Sequence, residues 1–100
     1  MGVNITKLIW DKWNTNHISK HKVTPAEAEE SLTDKHVVFL VGYSNRVLSL
    51  GRSGKRLLTI VLQQQKSKTH YYVVTARDMA IKEREIYRIE NKIKEVRNEK

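Results

Sequence analysis

The sequence predicts a small α+β domain with two N-terminal helices, an antiparallel β-sheet and a long C-terminal helix. A chain of 100 residues has room for one domain with one core. Apolar residues recur with helical spacing near both ends, and with the alternation of strands between them. Short turn-forming segments separate these strands, which is typical of an antiparallel meander and not of parallel βαβ units.

The first third of the chain carries one predicted strand and two predicted helices. Residues 5–10 form the strand and residues 11–21 a polar helix. The second helix has a strong start, because Thr24 can cap it, Pro25 occupies its first turn and Glu27 can close a capping box. We expect this helix to end near residue 32.

The middle of the chain alternates between β-rich runs and turns. Gly and Asn residues favour turns, and runs of Val, Ile, Leu and Tyr favour strands. The predicted strands are residues 36–41, 47–50, 57–62 and 71–75, with turns at residues 43–46 and 51–54 and a polar loop at residues 63–69.

A long amphipathic helix is predicted from Thr75 onward. Thr75 is the expected cap, and Asp78 would lie in the first turn, where the helix dipole favours an acid. Glu90 and Lys94 have the spacing of a favourable ion pair. The apolar residues of this helix form one stripe. We expect Ile89 to cover the sheet, whereas the apolar residues after it could either cover the sheet or contact a partner. The members of the stripe are Met79, Ile86, Ile89, Ile93 and Val96.

The net charge of +8 is concentrated in the predicted sheet. Residues 35–77 contain eight Lys and Arg and no acid, whereas residues 1–34 and 78–100 carry net charges of −1 and +1. Such a surface favours a polyanion or an acidic protein, although a surface that only confers solubility is the alternative. We expect one sheet face to stay open and to present these cations.

Several classes of protein are disfavoured by composition. The absence of cysteine removes disulfides and thiolate chemistry. No apolar run approaches the roughly 20 residues of a membrane span, and the N-terminus does not resemble a signal peptide. We therefore expect a cytoplasmic protein.

Two arginines and two histidines are candidates for chemistry. Arg56 and Arg77 stand at the ends of predicted strands, where a planar guanidinium can hold a phosphate or make an ordinary ion pair. His17 and His21 share a helix face. A zinc site there lacks a third ligand, so His21 is interpreted either as an acid or base in RNA cleavage or as a structural residue.

Four further side chains have both a functional and a structural interpretation. Glu83 and Tyr87 share a face of the last helix, and Glu83 could simply neutralise Arg77. Tyr71 and Tyr72 point to opposite sheet faces, so that one belongs to the core and the other can stack on a base.

Three stretches of the sequence together resemble the BrnT family of toxins. The resemblance covers roughly residues 8–87 of a single domain, and residues 88–100 extend beyond it as helix. The matching residues are Trp10-Asp11, Asn14, His17-Ile18, His21, Val23-Thr24-Pro25, Glu27, Glu29 and Glu30; then Arg56-Leu57-Leu58; then Thr75-Ala76-Arg77-Asp78-Met79, Glu83-Arg84 and Tyr87.

The resemblance implies a RelE-like fold and a type II toxin that cleaves RNA without a metal or cofactor. It also implies neutralisation by a DNA-binding ribbon-helix-helix antitoxin of the BrnA kind, in a homodimer or a hetero-oligomer. The implied catalytic residues are His21, Arg56, Arg77, Glu83 and Tyr87. We expect RNA contacts from Arg46, Arg52, Lys55 and Tyr72.

The chain departs from the family pattern at three positions. Lys22 and Lys55 replace glycines, and Tyr72 replaces a common arginine, which removes a cation from the expected active face. If Lys22 adopts a left-handed conformation, the cost is about 1 kcal/mol. Two other functions therefore stay open: a non-catalytic nucleic-acid-binding module, and an interaction unit that receives an acidic partner.

Overall fold

The computed structural model describes the backbone of residues 3–98 and the side chains of residues 3–93, and this part of the chain is an α+β fold. The predicted order of helices, sheet and final helix is confirmed. The elements are β1 (Lys7–Ile9), α1 (Lys12–Ser19), α2 (Pro25–Leu32), β2 (Val38–Val41), β3 (Arg46–Ser53), β4 (Arg56–Gln64), β5 (His70–Asp78) and α3 (Ile81–Asn98).

Capping boxes begin both N-terminal helices. In α1, the Asp11 carboxylate accepts the Asn14 N–H at 2.9 Å, and the Asn14 side chain accepts the Asp11 N–H at 2.8 Å. In α2, Thr24 and Glu27 make the predicted reciprocal bonds. Because these local bonds satisfy helix N–H groups that otherwise lack partners, both helices begin where the sequence predicts.

The sheet has the strand order β1-β5-β4-β3-β2. Strands β2 to β5 form the predicted antiparallel meander, but β1 pairs in parallel with β5. The prediction of a wholly antiparallel sheet is therefore wrong, and the sheet is mixed. The link through α1 and α2 is long enough to carry the chain from β1 at one edge to β2 at the other.

The turn predicted at residues 51–54 is also wrong, because β3 continues to Ser53. The turn contains only Gly54, with φ +60°, and Lys55. Gly51 instead lies beneath α2, where an added Cβ would stand 2.1 Å from the Ser31 carbonyl oxygen. The glycine that suggested a turn therefore permits close packing of a helix on a strand. The turn predicted at residues 43–46 is confirmed, with positive φ at Ser44 and Asn45.

The last helix begins at Ile81, five residues later than the start that a cap at Thr75 predicts. Residues predicted to open it, from Thr75 to Asp78, extend β5 and pair with β4. Burial of Ala76 favours the strand. The cap is supplied by Glu83, whose carboxylate accepts the Ala80 N–H at 2.7 Å.

Helices lie on both faces of the sheet, so the expected open face is partly covered. Helices α1 and α2 pack on one face, which we call the α1/α2 face; α3 packs on one end of the other, the α3 face. The α1/α2 face buries Ile18, Val23 and Ala28 against Leu58, Ile60, Leu62 and Val73. The α3 face buries Val38, Leu50 and Met79, with Leu57, Ile86 and Tyr87 packed against them.

The apolar stripe of α3 is only partly used. Ile86 packs on the sheet, but the side chain of Ile89 is 56% exposed and that of Ile93 is 41% exposed. The expectation that Ile89 covers the sheet is therefore wrong. The side chains of Lys94 and Val96, which entered two further predictions, lie outside the described residues.

The link between α1 and α2 contains a left-handed residue, Lys22, with φ 59°. Its N–H donates to the Ser19 carbonyl at 2.9 Å, and the next N–H, of Val23, donates to the Ile18 carbonyl at 3.1 Å. This pattern closes a helix C-terminus and normally uses glycine, since a side chain is strained there.

Replacing Lys22 with glycine should therefore stabilise the fold. We expect Lys22→Gly to raise the free energy of unfolding by about 1 kcal/mol and the melting temperature by about 4–8 °C. Lys20→Gly is the matched control, because Lys20 has an ordinary helical φ of −65° and should lose stability with glycine. A decrease for Lys22→Gly in thermal denaturation would contradict this account of the turn.

Candidate nucleic-acid interface

Arg56 lies at the start of β4 and ties four segments together on the α1/α2 face. Its Nε donates to Asp78 at 2.8 Å, and its terminal nitrogens donate to the carbonyls of Lys22 at 2.5 Å and His21 at 3.1 Å. A longer pair, 3.4 Å, joins it to Glu27. These bonds join the α1–α2 link to β4, β5 and α2.

The bonds of Arg56 also shift proton equilibria around it. Hydrogen bonding to Asp78 raises the pKa of Arg56, and the same bond lowers the pKa of Asp78. The backbone N–H of Thr24, and more weakly Arg56, lower the pKa of Glu27. The guanidinium is therefore a fixed cation whose donors already have partners.

His21 stands beside this cluster through its backbone. The carbonyl of His21 accepts from Arg56, whereas its ring lies 5.6 Å from the ring of His17, centroid to centroid, in an edge-on arrangement. No group of three or more potential metal-binding residues occurs among the side chains that the structure describes.

Arg77 lies on the opposite face, at the end of β5. Its two terminal nitrogens donate to the two carboxylate oxygens of Glu83 at 2.7 and 2.9 Å. The same carboxylate accepts the Thr59 hydroxyl at 2.8 Å and caps α3 at Ala80. The side chain of Glu83 is only 14% exposed, and that of Arg77 is 36% exposed. One edge of the guanidinium is therefore paired while part of the group reaches solvent.

The surroundings of Glu83 and Tyr87 move their pKa values in opposite directions. Hydrogen bonding to Arg77 lowers the pKa of Glu83 to about 2. Burial, followed by the hydrogen bond to Asp34, raises the pKa of Tyr87 to about 12. The Tyr87 hydroxyl donates to Asp34 at 2.5 Å. At neutral pH, Glu83 is therefore a weak base and Tyr87 a weak acid.

The four predicted RNA-contacting residues spread along the strands and turns of the sheet. Arg52 and Lys55 are exposed. Arg46 is also exposed and donates to Gln63 at 3.3 Å. The hydroxyl of Tyr72 donates to the carboxylate of Asp11 at 3.0 and 3.1 Å, and its pKa is raised, mainly by desolvation. Tyr71 is buried, so the predicted division of the two tyrosines between the faces is confirmed.

A cleft between α3 and the β2–β3 side of the sheet contains residues that the sequence analysis missed. Its volume is about 410 Å³. Arg52 from the predicted set lines it. The unpredicted lining residues with polar groups are His36, Arg84, Arg88, Asn91 and Lys92. The spacing of four between residues 84, 88 and 92 was the available signal, since such residues share one helix face.

The structure therefore divides the predicted catalytic residues between two faces. His21 and Arg56 belong to the α1/α2 face, whereas Arg77, Glu83 and Tyr87 belong to the α3 face. No helix among the described residues has the length and apolar character needed to cross a lipid bilayer. These features define a small α+β protein with a mixed sheet and cations on its α3 face.

A search of solved structures finds this fold in the Brucella abortus ribonuclease toxin BrnT. The similarity covers 74% of this chain and 96% of that chain, with a TM-score of 0.58 and 19% sequence identity. No protein-family model and no curated protein matches the sequence. The chain thus has a BrnT-like fold, as the resemblance predicts.

The Arg77–Glu83 pair should make stability depend on pH. Because the folded-state pKa of Glu83 lies below its ordinary value of 4.5, its contribution is complete above about pH 5 and is lost as the pH falls towards 2. We expect Glu83→Gln to cost on the order of 2 kcal/mol at pH 7 in urea unfolding, with the difference from wild type shrinking below pH 4.5.

Glu85→Gln is the matched control on the same helix, because Glu85 is exposed. It should change the free energy of unfolding by less than about 0.5 kcal/mol. A Glu83→Gln difference that stays constant from pH 7 to pH 2.5 would show that the ionised pair is not what stabilises this corner.

Proposed function

We propose that this protein is the toxin of a type II toxin–antitoxin system and acts as a metal-independent endoribonuclease. The observation that carries the proposal is the coincidence of a fold shared with a ribonuclease toxin and a strand segment, residues 35–77, with eight cations and no acid. RNA is a polyanion, and cationic surfaces bind its phosphates.

In this proposal Arg77 stabilises the charge that develops on the phosphate during cleavage. Preorganised cations are effective in this role because they need no rearrangement as the charge forms. Glu83 holds the guanidinium in place through its two bonds and so acts as a positioning residue. Arg56 has the corresponding positioning role for the α1–α2 link.

Proton transfer in this proposal falls to an imidazole. Metal-free cleavage needs a base for the ribose 2′-hydroxyl and an acid for the leaving oxygen. The pKa values of Glu83 and Tyr87, about 2 and about 12, suit neither task at neutral pH. Histidine suits both. His36 lies on the α3 face with Arg77, whereas His21, the histidine that the resemblance implies, lies on the α1/α2 face and could act only on RNA bound there.

A second candidate function is non-catalytic binding of nucleic acid. Two observations favour it: the donors of Arg56 are engaged in structural bonds, and the hydroxyl of Tyr72 pairs with Asp11 where the family commonly has a cation. Such a protein would bind RNA and leave it intact.

The proposed partner is a ribbon-helix-helix antitoxin of the BrnA kind. The support is the family resemblance of residues 8–87, and the partner would bind operator DNA and block the toxin in the cytoplasm. Co-purification with the product of an adjacent short reading frame tests this part of the proposal, and we expect the two proteins to bind. In cells that produce the toxin, we expect the same product to rescue growth.

Cleavage assays separate the two functions. We expect the purified protein to cut single-stranded RNA in EDTA, and Arg77→Ala to lower the rate at least about 100-fold, because one preorganised donor is worth that much in comparable sites. Denaturing gels of end-labelled RNA give the rates.

Lys82→Ala controls for the loss of one positive charge, since Lys82 is exposed on the same helix. Thermal denaturation checks that Arg77→Ala remains folded with Glu83 unpaired. RNA that stays intact in the presence of folded wild-type protein, while still being bound, would favour the non-catalytic function.

A further inference from the structure

The cleft of about 410 Å³ beside α3 has one cationic wall and one mixed wall. Arg84, Arg88 and Lys92 come from α3, and Arg52 faces them from β3. The charge of Arg52 also opposes the rise in the pKa of Tyr87, which places it close to that hydroxyl. Of the residues that line the cleft within the described part of the chain, none is acidic.

The cations of α3 form a ridge along the helix. Residues four apart are separated by about 6 Å along a helix axis and share one side of it. Arg84, Arg88 and Lys92 therefore present three positive groups over about two turns, a spacing comparable with that of successive phosphates in a single strand. Arg88 and Lys92 lie beyond the part of the chain that resembles the toxin family.

Asn91, one of the residues that line the cleft, has a buried acceptor, Oδ1, without a hydrogen-bond partner. The orientation of this amide is fixed, because its Nδ2 donates to the carbonyls of His36 at 3.0 Å and Tyr87 at 2.7 Å. The bond to His36 therefore ties α3 to the segment that precedes β2 and holds the cations of the ridge in place.

The spacing of these cations favours a nucleic-acid strand over an acidic peptide. A strand carries a phosphate at every nucleotide, which matches cations about 6 Å apart, and a phosphate accepts the paired hydrogen bonds of an arginine. The volume of about 410 Å³ lies in the range of pockets that hold small molecules.

Two acids lie near the cleft, and both already have partners. Asp78 is close enough to Arg84 for that cation to help lower its pKa, but its carboxylate binds Arg56. Asp34 accepts the Tyr87 hydroxyl with one carboxylate oxygen and the His36 N–H, at 3.0 Å, with the other. Both carboxylates thus accept hydrogen bonds from groups other than the cations of α3.

We propose that this cleft binds a single-stranded RNA, with its successive phosphates on Arg52, Arg84, Arg88 and Lys92. The inference rests on the proposed function only in taking RNA as the ligand, and it concerns binding and not cleavage.

Fluorescence anisotropy with a labelled eight-nucleotide 2′-fluoro RNA tests the proposal. This probe lacks the 2′-hydroxyl nucleophile, so binding is measured whether or not the protein cleaves RNA. We expect the combined variant Arg84→Gln, Arg88→Gln and Lys92→Gln to lose at least about tenfold in affinity. The slope of log affinity against log salt should fall by about 2, since each lost phosphate contact contributes about 0.7.

The matched control removes three exposed cations elsewhere, through Lys12→Gln, Lys20→Gln and Lys82→Gln. It should change the affinity less than about threefold.

The proposal would be overturned by absence of binding by the wild type, by equal losses in the cleft and control variants, or by a cleft variant that keeps its RNA affinity while losing affinity for poly-glutamate. The last would identify an acidic protein as the occupant. Cleavage of natural RNA by a cleft variant with unchanged binding would overturn this inference and leave the proposed ribonuclease function standing.

Discussion

The ion pair between Arg77 and Glu83 is the interaction on which the α3 face depends. It joins the end of β5 to the first turn of α3 through two bonds, and the same carboxylate also binds Thr59 and caps the helix at Ala80. Three elements therefore meet at one carboxyl group. Because the direction of a helix is set where it leaves the sheet, this corner determines where the cations further along α3 lie.

A second ion pair stands back to back with the first. Successive residues of a strand point to opposite faces, so Asp78 binds Arg56 on the α1/α2 face while its neighbour Arg77 binds Glu83 on the α3 face. Arg56 also donates to the carbonyl of Lys22 and so stabilises the strained turn there. The charged groups of the α1/α2 face are thus used to hold the fold together. The α3 face keeps the exposed cations that can meet a ligand.

The features predicted most accurately from the sequence are those that local hydrogen bonds determine. Helix α2 begins where Thr24 and Glu27 indicate, since a capping box is complete within four residues. The prediction failed at the junction of β5 and α3, because the burial of Ala76 and the pairing of β5 with β4 depend on distant parts of the chain. Gly51 was misinterpreted for the same reason.

The candidate site shows the same limit. Arg56 and Arg77 were identified by residue type and position, but whether their donors are free depends on Asp78, Glu83 and the carbonyls around them. Residues that resemble the family signature, such as Asp11 and Glu27, prove to be caps and bonding partners. The cleft was missed because it combines positions 36, 52 and 84–92, which only folding brings together.

The central claim is that the α3 face, and not the α1/α2 face, meets RNA. Titration of ¹⁵N-labelled protein with a non-cleavable single-stranded RNA, followed by NMR, tests it most directly. The account predicts that the amide and guanidinium signals of Arg52, Arg84 and Arg88 shift first and together. The backbone amide signals of His21, Lys22 and Arg56 should stay in place. Shifts confined to the α1–α2 link, or spread evenly over the surface, would contradict it.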